Sequence, residues 1–262
     1  MSPFEAFILG LVQALTEFLP VSSSGHIELG KAFMDVTNAD DAAFTIIVHA
    51  ATTFSIIVVY WKDITTIIGD LLKFQWNEST EFTAKIILSM IPVALVGVLF
   101  KDHIDLLFQG SVFFVGCMLI LTGIILALTT KIKTIESEIT YGKAFIIGVA
   151  QAVAVLPGIS RSGSTIATAL LLGSDKEKAA KFSFLMVIAP ILGMTILEVK
   201  DLLTEETTSA VGTLPLSIGF VTSFIFGIIA CKWMINIVKK GKLIYFAIYC
   251  WIVGIIAIII GL

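Results

Sequence analysis

Two polar stretches interrupt an apolar chain, and both carry side chains with chemistry in them. The first, "QALTEFLPVSSSGH" at 13–26, holds Gln13, Glu17, Ser22, Ser23, Ser24 and His26. The second, "VLPGISRSGSTIATALLLG" at 155–173, sets Arg161, the single arginine of the chain, among Ser160, Ser162, Ser164 and Thr165. Arginine presents a planar fork of donors that matches the geometry of phosphate. The neighbouring hydroxyls add donors, and Gly158 and Gly163 let the backbone turn tightly and come close to a ligand. A helix starting near Ser162 directs free N–H groups at an anion. These features converge on a phosphate group. The competing reading is that Arg161 pairs with a carboxylate and pins two parts of the chain together.

The first stretch differs in charge. Gln13 and Glu17 are four apart and so share one helix face. Glu17 suits a divalent cation, a mobile proton, or a structural pairing with Arg161. His26 suits general acid or base work, because an imidazole titrates near neutrality. Ser23 becomes a nucleophile where a base activates it, although serines at this position also cap a following helix. Other polar residues carry less weight. His49 sits in an apolar segment and reads as a hydrogen-bonded packing residue. His103, beside Lys101, Asp102 and Asp105, reads as part of a solvated turn. Glu28 reads as facing the interface, "DKEKAAK" at 175–181 as a charged turn, and Pro92 and Pro190 as helix kinks.

The elements that must position these residues follow from composition. Of 262 residues, 57% are hydrophobic and 14% charged, and the mean hydropathy is +1.01. Soluble domains carry roughly 25% charged residues, so the chain reads as membrane-embedded. A net charge of −3 gives no reason to expect nucleic acid. Cys117, Cys231 and Cys250 stand alone in apolar runs and read as small core residues. The start, "MSPFEAF", has no basic region of the kind that opens a cleavable signal. It reads as a helix start, with Ser2 as cap, Pro3 in the first turn and Glu5 three residues after the cap.

A bilayer core takes about 20 apolar residues per helix, and six segments qualify: 43–61, 83–100, 112–130, 181–198, 213–232 and 244–262. The two polar stretches break shorter apolar arms. Irregular backbone at membrane depth is tolerated only inside protein or along a wet cavity, so each reads as a re-entrant helical hairpin, with a pair of short tilted spans as the alternative. The two are related. "AFILGLVQA" (6–14) matches "AFIIGVAQA" (144–152), and "SSSG" (22–25) matches "SRSG" (160–163), both at an offset of 138. Phe44 with Phe182, Ala51 with Ala189, and Lys62-Asp63 with Lys200-Asp201 keep that offset. The chain therefore reads as one membrane domain, 1–262, made of repeats at about 1–138 and 139–262. Three spans separate equivalent positions, so the repeats have opposite orientation and the site belongs near the midplane where the broken helices meet. With this layout 13 of the 16 lysines fall on one side, which marks it as cytoplasmic. The first hairpin then enters from outside, the second from the cytoplasm, and both termini lie outside. The fold class is an all-α polytopic membrane protein: six transmembrane helices plus two re-entrant hairpins in an inverted-topology repeat.

At this point "QALTEFLPVSSSGH" and "PGISRSGST" resemble the two signature segments of the bacterial undecaprenyl-diphosphatases, the bacitracin-resistance phosphatases of the membrane. The resemblance covers essentially the whole chain. It implies hydrolysis of undecaprenyl diphosphate to undecaprenyl phosphate and inorganic phosphate, which recycles the lipid carrier for peptidoglycan. It implies a divalent cation, magnesium or calcium, and a site opening to the outer face of the bacterial plasma membrane. It places Gln13 and Glu17 on the metal, Glu17, Ser23, His26 and Arg161 in catalysis, and Gln13, Ser22, Ser160, Arg161, Ser162 and Thr165 on the substrate. Many members have Glu where this chain has Gln13, which leaves Glu17 as the main acid, and Thr where it has Ser24. The partners implied are a polyprenyl diphosphate and the surrounding lipids; a homo-oligomer is left open. Attack by Ser23 or by an activated water, and proton handling by His26 or Glu17, stay open as well. The alternative function is a transporter or flippase of a phosphorylated lipid, since broken helices in inverted repeats serve transport equally well. A third reading is a structural membrane scaffold.

Overall fold

The computed structural model describes residues 1–34, 41–100, 111–131, 137–193, 195–196 and 211–261. His103 with Lys101, Asp102 and Asp105 lies outside these, as do Lys133, Lys200, Asp201 and the side chains of Glu28 and Lys31. The described residues are all-helical, and the one bridge contact among them joins Ser137 to Ser174.

The first broken pair is α1 (Pro3–Phe18) and α2 (Ser23–Met34). Helix α1 opens on the capping box expected from "SPFE": Ser2 Oγ accepts from Glu5 N at 3.2 Å, and the Glu5 carboxylate accepts from Ser2 N at 2.7 Å. It ends where Pro20 forces the preceding residue out of the helical region; Leu19 has φ −70° and ψ 144°. Next come α3 (Asp41–Val59) and α4 (Trp61–Leu71), bent by 77° at Tyr60. The long helices α5 (Glu78–Leu99) and α6 (Val112–Leu128) follow. The second broken pair is α7 (Tyr141–Val153) and α8 (Arg161–Leu171). After it come α9 (Lys176–Met186), α10 (Thr213–Lys239) and α11 (Ile244–Ile260).

Helix α5, residues 112–131 and helix α10 are long and apolar enough to cross a membrane, and α3 with α4 makes a fourth span if the bent pair is counted as one. Two expected spans differ from the sequence reading. The segment 181–198 belongs to a helix that starts earlier, at Lys176, and breaks at Val187 before resuming over 188–193. Pro190 explains the break, because it has no N–H to give the carbonyl of Met186. The segment 43–61 ends at Val59, and the chain turns sharply instead of running on.

Packing pairs the first arm of each broken pair with a long helix from the other half of the sequence. Helix α1 lies along α10 and α7 along α5, while α6 and α11 lie along each other. Backbones touch at these seams. A Cβ built on Gly148 would sit 2.2 Å from Ser89 O, and one on Gly116 would sit 2.8 Å from Gly254 O. Between membrane helices no hydrophobic force drives association, so close approach at small residues supplies the contact. One buried cluster gathers Phe18, Phe182, Phe184 and Met234, and a second gathers Leu119, Leu126 and Cys250. Cys231 and Cys250 are buried and Cys117 half-buried; all three are free.

Charges collect at one end of the bundle. Lys178 pairs with Glu138, Lys181 with Asp63, and Lys239 with Glu177, while Lys143 Nζ donates to Ser137 Oγ at 2.5 Å. All of these lysines are among the 13 that the sequence assigns to one side.

Candidate active site

Glu17 is the centre of the site. It comes from the last turn of α1, just ahead of the Leu19-Pro20 stop, and is 9% exposed. Four residues converge on its carboxylate. Gln13, one turn back, donates from Nε2 to Oε2 at 3.1 Å. Ser23, at the start of α2, donates from Oγ to the same oxygen at 2.6 Å. His49 Nε2, from α3, lies 3.8 Å from it. Arg161 donates from Nη2 to the other oxygen, Oε1. A buried carboxylate is tolerated when paired and hydrogen-bonded in this way.

The turn before each second arm sets this geometry. Ser22 adopts φ +70°, a left-handed conformation that lets the chain reverse between α1 and α2. Its hydroxyl accepts from Gly25 N at 3.3 Å and lies 3.3 Å from Ser24 Oγ. In the second turn Gly158 has φ +95°, and a Cβ there would lie 2.6 Å from Val115 O. Thr122 of α6 fastens that turn: its hydroxyl donates to Gly158 O and accepts from Ser160 N, both at 3.1 Å. Ser160 then caps α8, accepting from Gly163 N at 3.0 Å. The helix begins at Arg161, one residue before the start expected from sequence, and the arginine is carried on its first turn.

The sequence-derived residues divide into two groups. Gln13, Glu17, Ser23 and Arg161 meet directly. Ser162 joins them through its hydroxyl, which donates to the Glu17 carbonyl at 3.3 Å and to the Leu19 carbonyl at 3.4 Å. Ser22 and Ser160 serve as caps, and Ser160 Oγ lies 3.4 Å from Ser162 Oγ. The Thr165 hydroxyl turns back onto its own helix, donating to Arg161 O at 3.0 Å. His26 points to a different neighbour. Its Nδ1 is 2.8 Å from Ser22 O, its Nε2 is 2.9 Å from Tyr249 Oη, and its ring stacks on Tyr249 at 5.5 Å. The pairing of Arg161 with Glu17, which the sequence offered as a rival to phosphate binding, is present. It does not use up the arginine, because a guanidinium carries five N–H donors and the pair borders a narrow cleft shared with Ser162.

Three positions escaped the sequence reading. His49 reads in the sequence as a packing residue, yet an ionisable side chain inside an apolar segment is itself a functional signal, and that signal points to it. Thr122 and Tyr249 carried none, since a lone hydroxyl in an apolar run marks nothing until its partner is known.

The donor set suits a hard cation. Magnesium and calcium take oxygen ligands, and magnesium is commonly held by one or two carboxylates together with substrate phosphates and water. Glu17 supplies one carboxylate. Gln13 Oε1 is buried with no hydrogen-bond partner, an oxygen left over on the amide that touches Glu17. Among the described residues no three His, Cys, Asp or Glu side chains gather as a metal site. The residues therefore fit an ion that draws most of its ligands from diphosphate and water.

Residues 6–256 match the family of bacitracin resistance protein BacA. Over 263 residues the chain is 53% identical to a protein of Bacteroides fragilis named undecaprenyl-diphosphatase, covering 100% of this chain and 99% of the relative. A protein of the same name from Parabacteroides distasonis is 54% identical over 260 residues, 98% of each chain. One from Halothermothrix orenii is 40% identical over 267 residues, covering 100% and 99%. With a match that spans both broken helix pairs, the chain belongs to the bacitracin resistance protein BacA family.

Proposed function

We propose that the protein is an undecaprenyl-diphosphate phosphatase. It hydrolyses undecaprenyl diphosphate to undecaprenyl phosphate and inorganic phosphate, and so returns the lipid carrier to cell-wall synthesis. The observation that carries this reading is the Ser23–Glu17–Arg161 chain, in which one carboxylate joins a hydroxyl at 2.6 Å on one oxygen to a guanidinium on the other. A binding protein has use for the arginine. A serine held against a buried carboxylate is what nucleophilic attack requires.

The step is a phosphoryl transfer. Ser23 Oγ attacks the terminal phosphorus, and its proton passes to Glu17 Oε2. The bond between phosphorus and the bridging oxygen breaks, and the prenyl phosphate leaves. The prenyl phosphate carries that proton away from Glu17; a water then attacks the phosphoserine with Glu17 taking its proton, and inorganic phosphate departs as Glu17 returns the proton to Ser23 Oγ. Arg161 holds the phosphoryl oxygens while charge spreads over them, the largest single contribution in such reactions. Gln13 orients Glu17 through its amide. His26, tied to Ser22 and Tyr249, holds the start of α2 against α11. A divalent cation held by Glu17 and the free Gln13 Oε1 would neutralise phosphate charge and orient the diphosphate.

The arrangement in the membrane is part of the proposal. It consists of six spans and two re-entrant hairpins in inverted repeats, within the bacterial plasma membrane and with the site open to the outer face. Support comes from the 138-residue offset, from the reciprocal packing of α1 on α10 and α7 on α5, and from the collection of lysines at one end. Re-entrant arms explain why α7 has 13 residues and α8 has 11, lengths far short of a bilayer.

The test is phosphate release from undecaprenyl or farnesyl diphosphate by detergent-purified protein, with and without magnesium or calcium. Release that depends on the cation and disappears on chelation is expected. A folded protein that releases nothing from either lipid would turn the reading to a transporter or flippase, to be judged by a transbilayer flipping assay.

A further inference from the structure

The cleft beside the Glu17–Arg161 pair has a wall that the chemistry above leaves unused. Ser183, on α9, lies on it and is 5% exposed. Its hydroxyl lacks the partner that several other buried helical hydroxyls have. Serine and threonine inside helices usually donate to the carbonyl three or four residues back. Thr16 does so to Val12 O at 2.6 Å, Thr53 to His49 O at 2.9 Å, Ser55 to Ala51 O at 3.0 Å and Thr165 to Arg161 O at 3.0 Å. Ser183 Oγ is buried and has no hydrogen-bond partner. An unsatisfied hydroxyl in a low-dielectric interior is costly, and it sits where a ligand of Arg161 would reach it.

The rest of the cleft indicates which part of a ligand that is. Glu17, Arg161 and Ser162 line it together with Phe18, Ile56, Phe184 and Val187. The lining thus combines polar and cationic groups with apolar ones. That combination fits the junction between a phosphate and the first carbons of a prenyl chain. We propose that Ser183 is a substrate-binding residue, donating a hydrogen bond to an oxygen of the lipid-side phosphate of the polyprenyl diphosphate, next to the terminal phosphoryl group that Arg161 holds, while Phe18, Ile56, Phe184 and Val187 seat the adjoining prenyl carbons. The phosphate that Ser183 holds is the one that stays with the lipid product. This rests on the diphosphatase reading and adds the residue that grips the leaving group.

The experiment compares wild type with Ser183→Ala, both purified in detergent, using farnesyl diphosphate as substrate. Phosphate release gives kcat and KM, and inhibition is measured separately with farnesyl monophosphate and with inorganic phosphate. Thermal unfolding checks the fold, and removal of an unpaired hydroxyl should leave the midpoint equal or higher. A hydrogen bond to a charged group is worth enough to change binding about tenfold. The expected result is a KM about tenfold higher, with farnesyl monophosphate inhibiting about tenfold more weakly and inorganic phosphate unaffected. Weaker inhibition by inorganic phosphate instead would keep the phosphate contact and move it to the terminal group. Unchanged KM and unchanged inhibition by both in a folded variant would overturn the proposal and reduce Ser183 to the holder of a structural water. If the wild type releases no phosphate, the diphosphatase reading fails, and Ser183 is decided by direct binding of farnesyl monophosphate to the two proteins.

Discussion

At the head of α2, Ser22 accepts from Gly25 N at 3.3 Å; at the head of α8, 138 positions later, Ser160 accepts from Gly163 N at 3.0 Å. Ser2 and Thr140, also 138 apart, cap α1 and α7. The two broken pairs thus keep one backbone device. Their chemistry is not shared. Glu17 has Val155 as its counterpart, Ser23 has Arg161, and His26 has Ser164. One segment holds the acid and the serine, and the other holds the arginine. What the two segments share is the way to stop a helix and restart it with its polar groups satisfied. What differs is the charge each restart presents, and complementary charges are what let the two segments meet at Glu17 and Arg161.

That division of labour can be broken from either side. The largest effect is expected for Glu17→Gln, which removes the base and leaves Arg161 without its carboxylate; kcat should fall by about 1,000-fold or more in a phosphate-release assay. Ser23→Ala should fall by a similar order, and a labelled phosphoserine trapped by rapid quenching of the wild type should be missing from it. Substantial turnover by a folded Ser23→Ala protein would hand the attack to water. On the other segment, Arg161→Lys keeps the charge but loses the planar fork, so kcat/KM should drop roughly 10- to 100-fold. An effect equal to Arg161→Ala would mean that geometry, not charge, is what the second segment supplies. His49→Gln tests whether the first half contributes more than its broken pair: loss of the imidazole 3.8 Å from Glu17 should lower kcat/KM about tenfold. The smallest effect should appear in stability. Thr122→Val strips the hydroxyl that serves Gly158 O and Ser160 N, and thermal unfolding in detergent should register a loss of about 2 kcal/mol. An unchanged midpoint would show that the second turn holds itself, as the first one does through Ser22.

Much of the site was legible in the chain. The i, i+4 spacing of Gln13 and Glu17 fixed a common helix face, and the structure joins them at 3.1 Å. The cap signal at Ser2 was local, since it depends on residues three positions apart, and it is present. The helix end at Pro20 was equally local. Thr165 illustrates the limit. A hydroxyl near Arg161 reads as a phosphate donor, yet its nearest acceptor is the carbonyl one turn back on its own helix. His26 illustrates a second limit, because nothing near it in sequence announces Tyr249, 223 residues away.

The sequence by itself determined that this is a helical membrane protein, that its two polar segments match at an offset of 138, and that an acid, a serine and an arginine lie at the two places where its helices break. Those conclusions rest on composition, periodicity and short-range stereochemistry, which act over a few residues and leave a mark in the order of the chain. Only the tertiary structure decided that Glu17 meets Arg161, 144 residues away, that His49 joins them while His26 turns to Tyr249, and that Ser183 lines the same cleft. Each of these depends on the rotation of one helix about its axis against another. Small-residue seams such as that between Gly148 and Ser89 set that rotation, and close packing is a property of two surfaces together, written in neither segment alone.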